Sequence, residues 1–355
     1  MQLTTLDLIN SMEHRGEIMS NVVTMGEIML RLSPPLHHKI EQTNDFSATY
    51  GGGEANVAVA LSYLGHKTTF ISKLPDNQLG DGAIKHLRGY GVNTEFIVRD
   101  GEDIGIYFLE NGFGTRPSQV IYNRRHSAIT KIKKEEFDFD KIFSQAKWFH
   151  LSGITLALGE EIKEVALYAA QKAKEHNVKV SFDFNYRAKL WTKDEAKKAM
   201  QKVLPLVDIC FASYFDANTL LEIEPSKSYE NDEEKQNDVF YQMIKKYNLS
   251  YVFGTKRELF SANENSLSSY VYTKDSKYTT EAKRFNIFDR VGGGDAFVSG
   301  AIHKLLGNCK DFQKANEFGL ACSILKHTIP GDASILKEKD ILGFMDNLGA
   351  SAINR

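Results

Sequence analysis

Three consecutive glycines followed by a carboxylate, Gly292-Gly293-Gly294-Asp295, are the residues of this chain best suited to chemistry. Glycine opens backbone dihedrals closed to other residues and lets a ligand approach the main chain. A small-residue, amphipathic run from Ala296 to Leu306 follows, with Gly307 placed as its C-terminal cap, so the glycines stand at a helix N-terminus. Free N–H groups and the helix dipole there favour an anion. Asp295, in the first turn, stands where a carboxylate could take a proton from a hydroxyl attacking that anion. A helix simply capped by Asp after a glycine turn would use the same residues. A second glycine turn, Gly51-Gly52-Gly53-Glu54-Ala55-Asn56, opens an Ala- and Val-rich helix closed by Gly65. It would let a ligand lie against the backbone, with the Asn56 amide free to hydrogen-bond a hydroxyl; close helix packing is the other reading of such a turn.

The elements around these turns follow from hydrophobic periodicity. A buried strand is expected over 22–27, then a polar, irregular stretch with Pro34-Pro35 up to about Tyr50. A strand over 68–73 and a helix over 79–90 come next. Short strand-like pieces over 95–98, 104–109 and 119–122 follow, punctuated by Gly101, Gly112 and Gly114. From Trp148 strands and helices alternate: strand 148–152, helix 160–176, strand 178–184, strand 209–213. Such alternation means a mostly parallel sheet covered by helices, with ligands beyond the carboxyl ends of the strands. Asp183, Asn185, Tyr186, Arg187 and Asp216 fall at that edge. The charged stretch 224–238 reads as a solvated insertion, 251–254 as a late strand, 270–285 as a hairpin region and 312–327 as a final helix before Ile329-Pro330-Gly331-Asp332.

The chain has 355 residues, 42% hydrophobic and 25% charged, with a formal net charge of −2. That is the composition of a globular protein with a large core, and it argues for neither a nucleic-acid nor a membrane partner. Cys210, Cys309 and Cys322 are odd in number and far apart, which excludes a disulfide framework and zinc spacing and points to a reducing, cytoplasmic compartment. Residues 1–18 lack a signal-peptide core. Arg15-Gly16-Glu17 can be encoded by a purine-rich ribosome-binding sequence, so translation is expected to start at Met19 and the preceding residues to be an extension or a tail.

The segment Asp289-Arg290-Val291-Gly292-Gly293-Gly294-Asp295 resembles the second signature of the ribokinase-like (PfkB) carbohydrate kinases, Asp-x-x-Gly-Ala-Gly-Asp, with Gly293 in place of the alanine. The turn Gly52-Gly53-Glu54-Ala55-Asn56-Val57-Ala58 is similar to the first, Gly-Gly-x-x-x-Asn-x-Ala. P-loop and protein-kinase motifs do not occur. The resemblance implies an α/β, three-layer ribokinase-like fold over 19–355, with a mostly parallel central sheet and a small β-strand lid from about 31–50 and 95–125. It implies a kinase using ATP and Mg²⁺, with Asp295 as general base and the N–H groups of Gly292, Gly293 and Gly294 as the anion hole. It also implies a lid that closes over the sugar and pairs with the lid of a second subunit.

Within the family, Tyr107, Tyr122-Asn123-Arg124, Arg116-Pro117-Ser118, Leu151-Ser152-Gly153-Ile154-Thr155 and the run Asp183-Phe184-Asn185-Tyr186-Arg187-Ala188-Lys189-Leu190-Trp191 are similar to 2-keto-3-deoxygluconate kinases. By that resemblance Gly52, Gly53, Asn56, Tyr107, Tyr122, Arg124 and Arg187 bind an acid sugar, whose carboxylate suits guanidinium groups. Phosphorylation of 2-dehydro-3-deoxygluconate at O6 is the implied reaction. A kinase for fructose or another keto-sugar acid, and a non-catalytic sugar-binding regulator, are the alternatives. The nucleotide half departs from the family. Its Asn-x-x-Glu reads Ser213-Tyr214-Phe215-Asp216, its Gly-x-x-Gly turn reads Gly254-Thr255-Lys256-Arg257-Glu258, and Arg290 replaces Thr or Pro. Asp216 remains a candidate for holding Mg²⁺ through water, and Ser213 and Thr255 remain candidate nucleotide neighbours.

Overall fold

The computed structural model describes residues 21–307 and 310–346; the expected start at Met19 and Cys309 lie outside them. The strands are β1 (Asn21–Met25), β2 (Met29–Ser33), β3 (Ser47–Gly51), β4 (Lys67–Leu74), β5 (Ile97–Arg99), β6 (Ile106–Glu110), β7 (Gln119–Asn123), β8 (Trp148–Ser152), β9 (Lys179–Asp183), β10 (Ile209–Phe211), β11 (Tyr251–Leu259), β12 (Glu264–Tyr272), β13 (Lys277–Thr279) and β14 (Lys283–Asn286). The helices are α1 (Gly53–Tyr63), α2 (Gln78–Gly89), α3 (Phe139–Phe143), α4 (Gly153–Leu156), α5 (Glu160–Glu175), α6 (Lys193–Val203), α7 (Asp232–Tyr247), α8 (Gly293–Leu306), α9 (Phe312–Lys326) and α10 (Glu338–Asp346).

The main sheet runs β13-β12-β11-β10-β9-β8-β1-β4-β5, parallel from β11 to β5 and antiparallel beyond. Side chains along a strand alternate between faces, and here each face has its own layer. Val23, Phe149, Val180, Cys210 and Val252 point to one side, against Ala169 and Ala170 of α5, Met200 of α6 and Phe240 of α7. Val22, Trp148, Ile209, Phe211 and Phe253 point to the other, against Val57 and Leu61 of α1 and Phe297 and Ile302 of α8. Both faces are therefore apolar, which is why these strands read as continuous hydrophobic runs. The order turns back at β1, which pairs with β4 on one side and β8 on the other. A crevice at the carboxyl ends of such strands is the natural ligand site.

A separate four-stranded sheet, β3-β2-β6-β7, lies over that edge. Its register sets Arg31 opposite Tyr107 and Tyr107 opposite Tyr122, so all three share one face. The same face carries Met29, Leu109 and Val120, which pack with Val291 of the glycine loop.

Three expectations are corrected. Ile97–Arg99, expected among the lid strands, pairs with β4 and extends the main sheet. The second half of the expected solvated insertion, from Asp232, is the start of α7: Asn231 caps it, and Asp232, Glu233 and Glu234 suit the positive end of its dipole. Gly254-Thr255-Lys256-Arg257-Glu258 is not a turn but the middle of β11, paired with β12 from Val252 to Leu259. Gly254 is there because a Cβ would overlap the Ala212 carbonyl oxygen and the Tyr270 ring. Among the described residues no helix is long and apolar enough to cross a membrane.

Candidate active site

The glycine loop is built for a close approach. Gly292 is the N-cap of α8 with φ +80°, a left-handed conformation, and a Cβ on it would overlap the Asp332 carbonyl oxygen. A Cβ on Gly293 would strike the His327 ring, whereas Gly294 faces open space. The N–H groups at the start of α8 thus meet a cavity with no side chain in the way.

Asp295 follows in the first turn. Its Oδ2 accepts a 2.7 Å hydrogen bond from Asn56 Nδ2 in α1, and Asn56 Oδ1 accepts from the Gly52 N–H at 3.3 Å. Asn56, the residue expected to bind a ligand hydroxyl, lines the cavity, and its amide also holds Asp295. Enclosure pushes the Asp295 carboxyl up to about 6, opposed by the Asn56 hydrogen bond and helped by the charge of Glu54. A carboxylate titrating just below neutrality is ionised at pH 7 yet basic enough to accept a proton. Gly52 leaves room for the Glu27 carbonyl, which a Cβ would overlap, and a Cβ on Gly53 would come to 3.8 Å from Asp295 Oδ1. Glu54 is fully enclosed and accepts from the Ser152 N–H at 2.9 Å and Thr155 Oγ1 at 2.6 Å, tying α1 to the end of β8.

These residues line a cavity of about 650 Å³ that also takes in Tyr107, Tyr122, Arg124, Asp183, Arg187, Arg290 and Asp332. Arg124, just past β7, is buried and ion-paired with Glu27, which in turn accepts from Ser127 Oγ at 2.5 Å. The buried Nε of Arg124 has no partner among the described residues. The Tyr122 ring lies 5.6 Å from the Arg124 guanidinium carbon. Arg187 is exposed, donates to the Tyr186 carbonyl oxygen at 3.2 Å, and lines a second cavity as well.

That second cavity, of about 390 Å³, adjoins the first through Asp183, Arg187 and Gly294 and is lined by Ser213, Asp216, Gly254 and Thr255. Asp216 Oδ2 accepts from the Ser213 N–H at 2.7 Å and Ser213 Oγ at 2.6 Å. Enclosure raises Asp183 to about 8, with the charges of Asp295 and Asp216 adding and Arg187 opposing. No group of three or more His, Cys, Asp and Glu that could hold a metal occurs among the described residues. Asp216 beside this cavity suits Mg²⁺, which keeps most of its waters and takes phosphate ligands rather than an all-protein cage. Every expected site residue therefore lines one or both of two joined cavities.

Several cavity or supporting residues carried no signal as site residues in the sequence. Arg31 of β2 is buried and bridges two carboxylates, Nη2 to Asp289 Oδ2 and Nη1 to Asp332 Oδ1, both at 2.7 Å. Tyr107 Oη hydrogen-bonds Asp332 Oδ2. Asp289 also accepts from the N–H groups of Val291 at 3.1 Å and Gly331 at 3.0 Å, and so shapes the glycine loop. Only the Pro330-Gly331-Asp332 turn signal and the first aspartate of the glycine signature mark these positions locally.

A doubly covered parallel sheet with a small sheet over its carboxyl edge, and a carboxylate in the first turn of a glycine-capped helix there, define a phosphotransferase of the ribokinase-like fold. The chain belongs to the pfkB family of carbohydrate kinases, whose sequence profile matches residues 19–339. Among its relatives is a 2-dehydro-3-deoxygalactonokinase of Haloferax volcanii, 32% identical over 91% of this chain and 95% of that protein. The crystal structure of a 2-dehydro-3-deoxygluconokinase from Thermotoga maritima is 45% identical and superposes with a TM-score of 0.88 over 92% of this chain and 98% of that one. That of a putative 2-keto-3-deoxygluconate kinase from Enterococcus faecalis is 32% identical, with a TM-score of 0.90 over 95% and 99%.

Proposed function

We propose that this carbohydrate kinase transfers the γ-phosphoryl group of ATP to O6 of 2-dehydro-3-deoxy-D-gluconate, giving 2-dehydro-3-deoxy-6-phosphogluconate and ADP. The observation that carries the reading is a single cavity lined by Asp295, the glycine loop and the two arginines Arg124 and Arg187. The names of the Thermotoga and Enterococcus relatives support the substrate class.

In this reading the O6 hydroxyl lies against Asp295, between Gly53 and Gly294. Asp295 takes its proton as O6 forms a bond to the γ-phosphorus and the bond to the β,γ-bridging oxygen breaks, the electron pair leaving with ADP. The N–H groups of Gly292, Gly293 and Gly294 receive the charge on the transferring group, which has no need of reorganisation when the groups are already fixed. Asn56 holds the Asp295 carboxylate in place and ionised. Arg124 and Arg187 receive the sugar carboxylate, and Tyr107 and Tyr122 cover the ring. Ser213 and Thr255 lie along the nucleotide. Asp216, with Asp183 nearby, would hold Mg²⁺ through water, and the ion would supply positive charge to the phosphates. Covering the sugar with the small sheet excludes water and protects ATP from hydrolysis.

The C4 epimer is the second reading, favoured by the name of the Haloferax relative. ADP release measured with both epimers, fructose and gluconate separates them: the highest kcat/KM is expected with 2-dehydro-3-deoxygluconate, and a preference for fructose overturns the sugar-acid assignment. For the assembly, we propose a homodimer through the lids. β7 is an edge strand with Ile121 more than half exposed, a surface that pairing would cover. Light scattering at micromolar concentration should give twice the chain mass, and a monomer there removes the proposal.

A further inference from the structure

The charges beside the glycine loop do more than the transfer chemistry above uses. Asp289 and Asp332 are both buried there, and Arg31 bridges them, each at 2.7 Å. Two carboxylates and one guanidinium leave one negative charge in excess beside a loop that has to accept a polyphosphate, with Asp332 and the oppositely charged Arg290 both lining the cavity itself. A surplus of that sign in a poorly solvated place opposes anion binding.

Lys326, the last residue of α9, is fully buried beside them. Its Nζ donates to the Ile329 carbonyl oxygen at 3.1 Å. Its stem passes under the loop: a Cβ built on Gly292 would stand 3.3 Å from Lys326 Cε. An ammonium is taken out of water at considerable cost unless charges compensate it. Burial lowers its pKa from the ordinary lysine value, with the nearby Arg31 adding to that lowering and Asp289, Asp332 and Asp295 acting against it. The field of this ammonium therefore reaches the Asp289–Asp332 pair and the Asp295 carboxylate alike.

We propose that Lys326 is an internal cation of the phosphoryl site, a positioning residue whose charge cancels the excess of the Asp289–Arg31–Asp332 cluster so that the N–H groups of the glycine loop can receive the ATP phosphates. The inference rests on the reading of this loop as the phosphate site. It differs from a purely structural counterion role in one respect: the charge matters to phosphate even where the fold is intact. Removing one unit charge several ångströms from a polyphosphate weakens its binding roughly tenfold or more, with no effect on an uncharged nucleoside.

The test uses the full chain and two variants. Lys326→Met keeps the length of the side chain without its charge, and Lys326→Ala leaves space for an added ammonium ion. Calorimetric binding of ATP and of adenosine, and kcat with a saturating sugar acid, are measured for each, with unfolding followed by circular dichroism. The expected result for Lys326→Met is a native spectrum, unchanged adenosine affinity, ATP affinity weaker by roughly tenfold or more and kcat lower by about 10- to 100-fold. Ammonium chloride, but not sodium chloride at equal ionic strength, should restore part of the loss in Lys326→Ala. A folded Lys326→Met with wild-type ATP affinity overturns the proposal. So do equal losses for ATP and adenosine, and so do two variants that fail to fold and are not restored by ammonium, which would make Lys326 a counterion of the fold alone. Wild-type protein that binds adenosine but not ATP overturns instead the phosphoryl-transfer reading on which the inference rests.

Discussion

Replacing Asn56 by Ala should move the pH dependence of catalysis rather than simply lower it. Asn56 Nδ2 donates to Asp295 Oδ2 at 2.7 Å, and that bond is the largest influence holding down a carboxyl that enclosure pushes up to about 6. A hydrogen bond to a charged group is worth about 1.5–3 kcal/mol, or about one to two pKa units. Without it the Asp295 pKa should rise to roughly 7–8. The base must be ionised to accept a proton, so activity rises with pH through this value. At pH 7 the ionised fraction would fall from about nine-tenths to between about half and one-tenth. The variant should then lose about 2- to 10-fold in kcat/KM at pH 7, more at pH 6 and almost nothing above about pH 9. The assay is kcat/KM for the sugar acid from pH 5 to 9.5 in wild type and variant. An unmoved midpoint with the same loss at every pH would show that Asn56 does not set the Asp295 pKa and would assign it to direct contact with the substrate.

Asp295→Asn keeps the shape but cannot accept the proton, and kcat should fall about 10²–10⁴-fold with sugar binding largely kept; near-normal turnover would remove Asp295 from its role. The same variant should be the more stable one above about pH 6, because the folded-state carboxyl, raised to about 6, binds protons more tightly than the unfolded one and loses stability as pH rises through that range. The gain in Tm should vanish near pH 4, and a gain independent of pH would contradict this. Arg124→Ala and Arg187→Ala should each cost roughly ten- to a hundredfold in kcat/KM for the sugar acid and much less for a neutral analogue; equal losses for both would assign the arginines to structure. Asp216→Ala should raise the Mg²⁺ concentration giving half-maximal activity, and an unchanged titration would show that the carboxylate held by Ser213 does not serve the metal.

What could be read from the sequence was local. The two glycine turns announce themselves because each leaves no room for a side chain next to a helix start, Gly292 against the Asp332 carbonyl and Gly52 against the Glu27 carbonyl, and both stand at the cavity. The alternation from Trp148 onward fixed the parallel sheet for the same reason: strands covered on both faces must be apolar at successive positions. Function carried by distant partners left no such trace. Arg31 meets Asp289 and Asp332 across 258 and 301 residues, and a lone arginine in a lid strand gives no hint of either. Lys326 reads as an ordinary basic residue in the last turn of a helix, where the dipole prefers it. Arg124 looked free for a substrate, and its pairing with Glu27 came from two loops brought together only by the fold. The continuity of β11 was hidden because its polar half, Thr255-Lys256-Arg257-Glu258, is paired with β12 and needs no apolar pattern to be a strand. The charged start of α7 masked Val239, Phe240, Met243 and Ile244, the stripe that buries it.

Phosphorylation of a sugar acid in this cavity is the proposed reaction. It is tested most directly by ADP release from ATP and Mg²⁺ with 2-dehydro-3-deoxygluconate, its C4 epimer, fructose and no sugar, the product being mapped by phosphorus NMR. ADP release that depends on the acid is expected, with kcat/KM highest for the gluco epimer and the phosphate on O6. Release independent of any sugar, or a neutral sugar used in preference to both acids, would contradict it.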